Sequence, residues 1–309
     1  MASTTYDIAV IGGGIAGLTA AQHAAFDDWR VACFQEDELL GGLVANVGAL
    51  DGFPSTGRLS GMELAAALAE TNGRLGVHPI RSRVEAIRSE ADLKLLITAD
   101  GATCLAKQVI VATGARLKQL GVAGERELAS RGVSQCAWCD AGLFRDEEVV
   151  VVGGGDSALS EALHLAGYAS AVTIVTRGDG FRARQRYVAR AADHEKFQFR
   201  WSTEVVEIIG RDSVEAVRLR DCTHGTVEEL PCRGVFVFIG LAPNAEFLGP
   251  LVERDANGFV VTDAALETAT PGLFAVGAVR SLYPGRLTNA VGEATAAAIT
   301  ASRRLSASS

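Results

Sequence analysis

The stretch Asp7-Ile8-Ala9-Val10-Ile11-Gly12-Gly13-Gly14-Ile15-Ala16-Gly17-Leu18 decides the fold, because it returns 141 residues later. The second copy reads Glu148-Val149-Val150-Val151-Val152-Gly153-Gly154-Gly155-Asp156-Ser157-Ala158-Leu159. Each copy is a short β-branched run ending in a glycine turn. A helical stretch follows each, Leu18 to Phe26 and Leu159 to Gly167, and then a second strand, Val31 to Phe34 and Val172 to Val175. The chain thus reads as a βαβ unit used twice. In such a turn the first glycine permits a sharp bend and the second lets backbone N–H groups approach a pyrophosphate. The third lets the helix pack on its strand, and the helix N-terminus then faces the phosphates.

Outward from these units, Gln108 to Gly114 and Gly234 to Gly240 read as paired exits and entrances between domains. Pro271 to Gly277 reads as a further strand, and Ala290 to Arg304 as an alanine-rich helix. The expected class is α/β, with two Rossmann-like, three-layer ββα dinucleotide-binding domains, the second inserted into the first. We place the first at 1–117 and 241–309 and the second at 118–240. A length of 309 residues suits two domains.

Composition removes other classes. With 48% hydrophobic and 21% charged residues, and no apolar run near the roughly 18 residues of a membrane span, the expectation is a soluble globular protein. A formal net charge of −8 provides no global positive field for a nucleic acid or an anionic membrane, so neither is expected as a partner. Met1 to Tyr6 lacks the basic and apolar regions of a signal peptide, which points to the cytoplasm.

In the first turn, Gly12, Gly14 and Gly17, with Ile15 and Ala16 between them, form the expected phosphate cradle. The ribose-binding acid expected about 20 residues on falls at Gln35 or Glu36, and Glu36 is the choice. The second turn, Gly153, Gly155, Asp156, Ser157 and Ala158, is the permitted variant with alanine in third place. The position matching Gln35 is Thr176, followed by Arg177, with Arg182 nearby. A loop with arginines and no carboxylate suits a 2′-phosphate, favouring NADPH over NADH. Arg184, Arg186 and Arg190 read either as part of this basic site or as a solvated helix face.

Cys136-Ala137-Trp138-Cys139-Asp140 is the candidate reactive centre. Two thiols at that spacing can close a small ring, a helix N-terminus or nearby base can lower one pKa, and Asp140 can exchange the proton that disulfide chemistry moves. The alternative, half a zinc site, finds no second pair among Cys33, Cys104, Cys222 and Cys232. Those four read as small hydrophobes, and no metal is expected.

The ordered set Gly12 to Gly17, Gly41-Gly42, Ala112-Thr113-Gly114, Cys136 to Asp140, Gly153 to Ala158 and Thr270 to Gly277 resembles the low-molecular-weight thioredoxin reductase family over nearly the whole chain. The resemblance implies an FAD domain interrupted by an NADPH domain that carries the dithiol, working as a homodimer. It implies FAD contacts from Gly41 and Gly42 near the isoalloxazine, from Ala112, Thr113 and Gly114, and from Gly277, Ala278 and Arg286. Cys139 would face the flavin, Cys136 would attack the substrate disulfide, and Asp140 would serve as acid. The substrate would be a thioredoxin-like protein or a small disulfide.

Several positions depart from the family pattern. Ala278 stands where the family has the aspartate of a Gly-Asp pair, and Thr176-Arg177-Gly178 where it has His-Arg-Arg. Leu43 replaces a glutamine, Gly285-Arg286-Leu287 an Arg-Gln-Ala, and Ala141 a glycine, while bulky Trp138 lies between the cysteines. An aromatic residue there is similar to the dithiol oxidases, relatives that pass electrons to oxygen, although those tend to carry histidine at the position of Asp140. A relative that draws electrons from ferredoxin has lost the nicotinamide signature, which is intact here. A flavin- or nucleotide-binding redox sensor without catalysis is the remaining alternative.

Overall fold

The strand β1 (Thr4–Ile11) is apolar on both sides, so alternate residues feed two cores. Ile8 and Val10 join one, and Ala9 and Ile11 the other. A computed structural model of the chain describes residues 4–36, 38–50, 52–54 and 58–307. It divides into two compact units, Met1–Arg116 with Ala242–Ser309, and Leu117–Leu241.

In the first unit β1 turns through the glycines into α1 (Ile15–Phe26), then β2 (Val31–Gln35), α2 (Gly61–Arg74) and β3 (His78–Arg81). Two further strands, β4 (Val84–Glu90) and β5 (Leu93–Thr98), lead into the long β6 (Thr103–Val111). α2 starts where Ser60 and Glu63 cap each other: Ser60 Oγ accepts the Glu63 N–H, and Glu63 accepts the Ser60 N–H at 2.8 Å. After the second unit, β17 (Leu273–Ala275) and α6 (Leu287–Ala307) complete the first. Among the described residues its sheet runs β3-β2-β1-β6-β5-β4. β6 pairs antiparallel with β5 through its first half and parallel with β17 through Val109–Val111. The alanine-rich faces of α1 and α6 cover one side of the sheet, while the core on the other side takes in Val84, Ile87 and Leu96 of β4 and β5 and the 245–260 segment.

The chain leaves the first unit through β7 (Ala115–Leu117). The second unit repeats the plan with β8 (Val133–Ser134), α3 (Ala137–Asp140), β9 (Glu148–Val152), α4 (Asp156–Leu165), β10 (Ala171–Val175), α5 (Gln185–Ala192) and β11 (Phe197–Arg200). A meander of β12 (Thr203–Gly210), β13 (Val214–Asp221) and β14 (Val227–Pro231) precedes β15 (Gly234–Val237), and the chain returns through β16 (Leu241–Pro243), which pairs with β7. The parallel sheet β11-β10-β9-β15-β8 has Val149, Val151 and Ile174 against the helices. Val150, Val152 and Val175 face the meander. Both units are thus α/β layers with a parallel sheet at the centre, as expected.

The helices differ from the sequence reading at their ends. α1 begins at Ile15 rather than Leu18, and α4 at Asp156 rather than Leu159, because each starts directly at its glycine turn. α6 begins three residues before Ala290 and extends past Arg304. Met1–Ser3, part of the stretch read for targeting, lie outside the described residues. No helix among the described residues is long and apolar enough to cross a membrane.

Candidate active site

The first glycine turn is shaped by packing. Gly12, at φ +120°, lies so close to β6 that a Cβ would sit 2.7 Å from the Ala112 carbonyl carbon and nearer still to its oxygen. A Cβ at Gly17 would overlap the Gly12 carbonyl, whereas at Gly14 nothing lies within 4 Å. Gly14 is also the N-cap of α1, where no side chain caps the helix and no acid occupies the first turn. The leading N–H groups of α1 and the space beside Gly14 therefore suit an anion such as a pyrophosphate.

Distant segments gather around this turn. Gly41 bridges Gly14 and donates its N–H to the Gly13 oxygen at 2.9 Å, and Gly42 packs on the Gly14 Cα. A Cβ at Gly277 would lie 3.2 Å from the Ala16 Cβ. Thr113 donates its hydroxyl to the Asn244 oxygen at 2.6 Å, and the Asn244 amide returns a bond to the Thr113 oxygen at 3.0 Å; Gly114 follows in open space. Glu36 is exposed just beyond β2 and pairs with Arg83 at 3.3 Å. Arg286 is exposed before α6, and its carbonyl accepts the Tyr283 hydroxyl at 2.6 Å.

The half-buried Ala278 brings no polar group to the turn, but Glu293, which the sequence reading passed over, does. Its Oε2 accepts the Gly277 N–H at 2.8 Å, and its Oε1 pairs with Arg280 at 2.6 Å, both side chains being largely buried. Burial and the Glu293 charge push Tyr283 up to about 12. Nothing in the spacing of Glu293 marks it; only the fold brings α6 to Gly277.

The second turn repeats the logic with one change. Gly153, at φ +141°, abuts the Phe238 carbonyl, Gly155 is open, and Ala158 fits where the first turn needs glycine. α4 again has no side-chain cap, but Asp156 lies in its first turn beside Ser157. That carboxylate is matched: Asp156 Oδ1 accepts the Arg184 N–H at 2.7 Å, and Oδ2 pairs with Arg184 Nε at 2.5 Å. Arg184, itself exposed, is thereby tied to the turn. Arg177 and Arg182 are exposed on the following loop, which is tied back by the Arg182 N–H to the Gly154 oxygen at 2.8 Å.

Cys136 and Cys139 form a disulfide, their Cα atoms 5.4 Å apart, so the zinc alternative gives way to a redox pair. Cys136 is the N-cap of α3, and its Sγ accepts the Cys139 N–H at 3.2 Å. Ser134 donates its hydroxyl to Asp140 Oδ2 at 2.6 Å and accepts the Cys136 N–H at 3.0 Å. From α4, Glu161 accepts the Ala137 N–H at 2.8 Å. Burial raises the Glu161 pKa, partly offset by the backbone N–H groups at the start of α3. Trp138, 50% exposed, stacks on His164 with ring centroids 3.8 Å apart, and burial holds His164 below its ordinary value.

The remaining thiols are of another kind. Cys33, Cys104 and Cys232 are buried, and burial pushes them up to about 12, 11 and 12, which suppresses thiolate and reactivity. Cys222 is exposed. Among the described residues no group of three or more His, Cys, Asp or Glu is placed to hold a metal ion.

Comparison with known proteins agrees with this geometry. The profile of the pyridine nucleotide-disulphide oxidoreductase family matches residues 6–294. The chain is 36% identical over 289 residues to a thioredoxin reductase of Listeria innocua, covering 93% of this chain and 90% of that one. It is 37% identical over 304 residues to a thioredoxin reductase of Mycolicibacterium smegmatis, covering 98% and 97%. A crystal structure of Lactococcus lactis thioredoxin reductase superimposes with a TM-score of 0.92 at 37% identity, covering 98% of this chain and 99% of that one.

Proposed function

The chain belongs to the pyridine nucleotide-disulphide oxidoreductase family as a flavin-dependent enzyme of thioredoxin-reductase type with FAD and NADPH as cofactors, and on that premise we propose how its residues divide the work. The unit Met1–Arg116 with Ala242–Ser309 binds FAD, its pyrophosphate at Gly12, Gly14, Ile15, Ala16 and Gly17. Glu36 holds the adenosine ribose, and Gly41, Gly42, Ala112–Gly114, Gly277, Ala278 and Arg286 border the rest. The unit Leu117–Leu241 binds NADPH, with the pyrophosphate at Gly153, Gly155, Asp156, Ser157 and Ala158 and the 2′-phosphate at Arg177 and Arg182. The substrate is a thioredoxin-like protein, and the enzyme works in the cytoplasm as a homodimer.

FAD, when bound, supplies a two-electron relay between nicotinamide and dithiol. The Cys136–Cys139 bond accepts two electrons and opens to two sulfur groups. The Cys136 thiolate attacks the substrate disulfide, forming a mixed disulfide and releasing one substrate sulfur, which takes a proton relayed by Asp140. Cys139 then displaces the second substrate sulfur and restores the internal bond. In total the substrate gains two electrons and two protons.

One observation carries this reading. The disulfide sits at the start of α3, whose first N–H group, that of Ala137, is held by α4, the helix that itself begins at the second glycine turn. The test is anaerobic addition of NADPH to the purified flavoprotein. Stoichiometric bleaching, faster than with NADH, is expected. The exposed Trp138 gives the dithiol oxidase its one specific support. That reading requires NADPH to do nothing while a small dithiol bleaches the flavin and oxygen restores it with release of hydrogen peroxide.

A further inference from the structure

We propose that Glu161 is a positioning residue that keeps the Cys136–Cys139 couple reducing, by occupying the N-terminus of α3 with a carboxylate that the Cys136 thiolate would otherwise have to itself. The start of α3 offers four N–H groups. The Cys139 N–H goes to Cys136 Sγ at 3.2 Å, and the Asp140 N–H to the Cys136 oxygen at 3.2 Å. The Ala137 N–H goes to Glu161 at 2.8 Å. A cysteine at a helix N-cap ordinarily gains a lowered pKa from such donors. Here the first of them is spent on a neighbouring anion, and that anion also disfavours a second negative charge beside it.

The consequence for redox chemistry has a definite sign. Stabilising the thiolate stabilises the reduced form and makes a dithiol couple oxidising. Glu161 acts the other way, so the reduced pair is less stabilised and gives up its electrons more readily. That direction suits an enzyme that reduces its substrate. The carboxylate is held in place, because α4 grips α3 a second time through the Trp138–His164 stack, three residues along the same helix. The titratable groups on these two helices are Cys139 and Asp140 on α3 and Asp156, Glu161 and His164 on α4.

The experiment compares wild type, Glu161→Gln and Glu161→Met as full-length holoenzymes, reduced with excess dithiothreitol. Carbamidomethylation of Cys136 by iodoacetamide is followed against pH by mass spectrometry. Both substitutions remove the charge, and the Trp138–His164 stack keeps α3 on α4. The expected result is a Cys136 midpoint about one pH unit lower in the variants. At a pH where Cys136 is ionised, the equilibrium with dithiothreitol shifts about tenfold toward the reduced enzyme, or about 30 mV. A purely structural role for Glu161 would change the alkylation rate at every pH without moving the midpoint. Midpoints within about 0.3 pH units of wild type in either folded variant would overturn the proposal.

Discussion

Gly14→Ala and Gly17→Ala are the same chemical change three residues apart, and they should fail in opposite ways. A Cβ at Gly17 would lie 2.9 Å from the Gly12 carbonyl carbon, closer still to its oxygen, and 3.4 Å from the Ala112 Cβ. Non-bonded carbons sit comfortably at about 3.5–4.0 Å. The obstruction is backbone, which no rotamer change relieves, so α1 must move off β6. Overpacking of this kind costs about 1–3 kcal/mol, or roughly 3–10 °C in melting temperature for a protein of this size. Gly14, with φ −73° and ψ 173° and no neighbour within 4 Å, accepts alanine without strain. Apo-Gly14→Ala should therefore melt within about 2 °C of wild type, given N-cap differences of a few tenths of a kcal/mol to about 1 kcal/mol. Its methyl instead fills the space a pyrophosphate needs. Losing one or two charge-assisted N–H contacts, each worth about 1.5–3 kcal/mol, should weaken FAD by at least tenfold. Apo-protein melting and flavin fluorescence titration separate the two effects. Wild-type FAD affinity in Gly14→Ala would refute the assignment of the cradle, and an unchanged melting temperature in Gly17→Ala would refute the packing argument.

Cys136→Ser and Cys139→Ser should both abolish disulfide turnover with the flavin retained. The long-wavelength thiolate–flavin absorbance band should survive in the first and vanish in the second, and the reverse pattern would exchange the two roles. Arg177→Ala should weaken NADPH by roughly tenfold to a hundredfold while leaving NADH nearly unchanged, as comparative flavin-reduction titrations would reveal. Ala278→Asp should tighten FAD by tenfold or more; equal dissociation constants would mean that Glu293, already on the Gly277 N–H, fills that need. Because burial holds His164 below its ordinary pKa near 6.5, the folded state binds its proton less readily than the unfolded chain. The stability it contributes is present above about pH 6.5 and lost as pH falls toward the folded pKa. Differential melting of wild type and His164→Gln between pH 7.5 and 5 should show the wild type losing more.

The parts of the molecule legible in the sequence are those that a backbone requirement imposes on residue type. Gly12 and Gly153 are visible because positive φ and a close carbonyl forbid a side chain, and the α/β class follows from what those turns connect. The dithiol is visible because its chemistry needs two sulfurs at one spacing. Glu161 and Glu293 are not visible as site residues, and the partner of Arg184 is not visible either, since each meets its partner across a gap in sequence that carries no period. Glu161 reaches Ala137 from 24 positions away, Arg184 reaches Asp156 from 28, and Glu293 reaches Gly277 from 16. A carboxylate or guanidinium on a helix reads as solvated until a neighbouring element is placed over it. Arg184, which the sequence leaves open between site and solvent, finds its Asp156 partner only through the turn before α5.

The order in which the chain is made interacts with its division into two units. Residues Leu117–Leu241 are continuous, so every contact within that unit exists once Leu241 has left the ribosome. The other unit is different. Its long strand β6 waits for β17, and the alanine face of α1 waits for α6, both near the end of the chain. At synthesis rates of about 5–20 residues per second, residues 242–309 take several seconds to arrive. Throughout that interval the first βαβ segment exists with part of its sheet and one helix face uncovered, while the inserted unit is already complete. The unit begun first is therefore finished last, and cofactor capture at its glycine turn becomes a late, post-synthetic event. A truncation ending before Leu273 would leave the dithiol unit whole and the other a fragment with an unpaired strand edge, a candidate for chaperone retention.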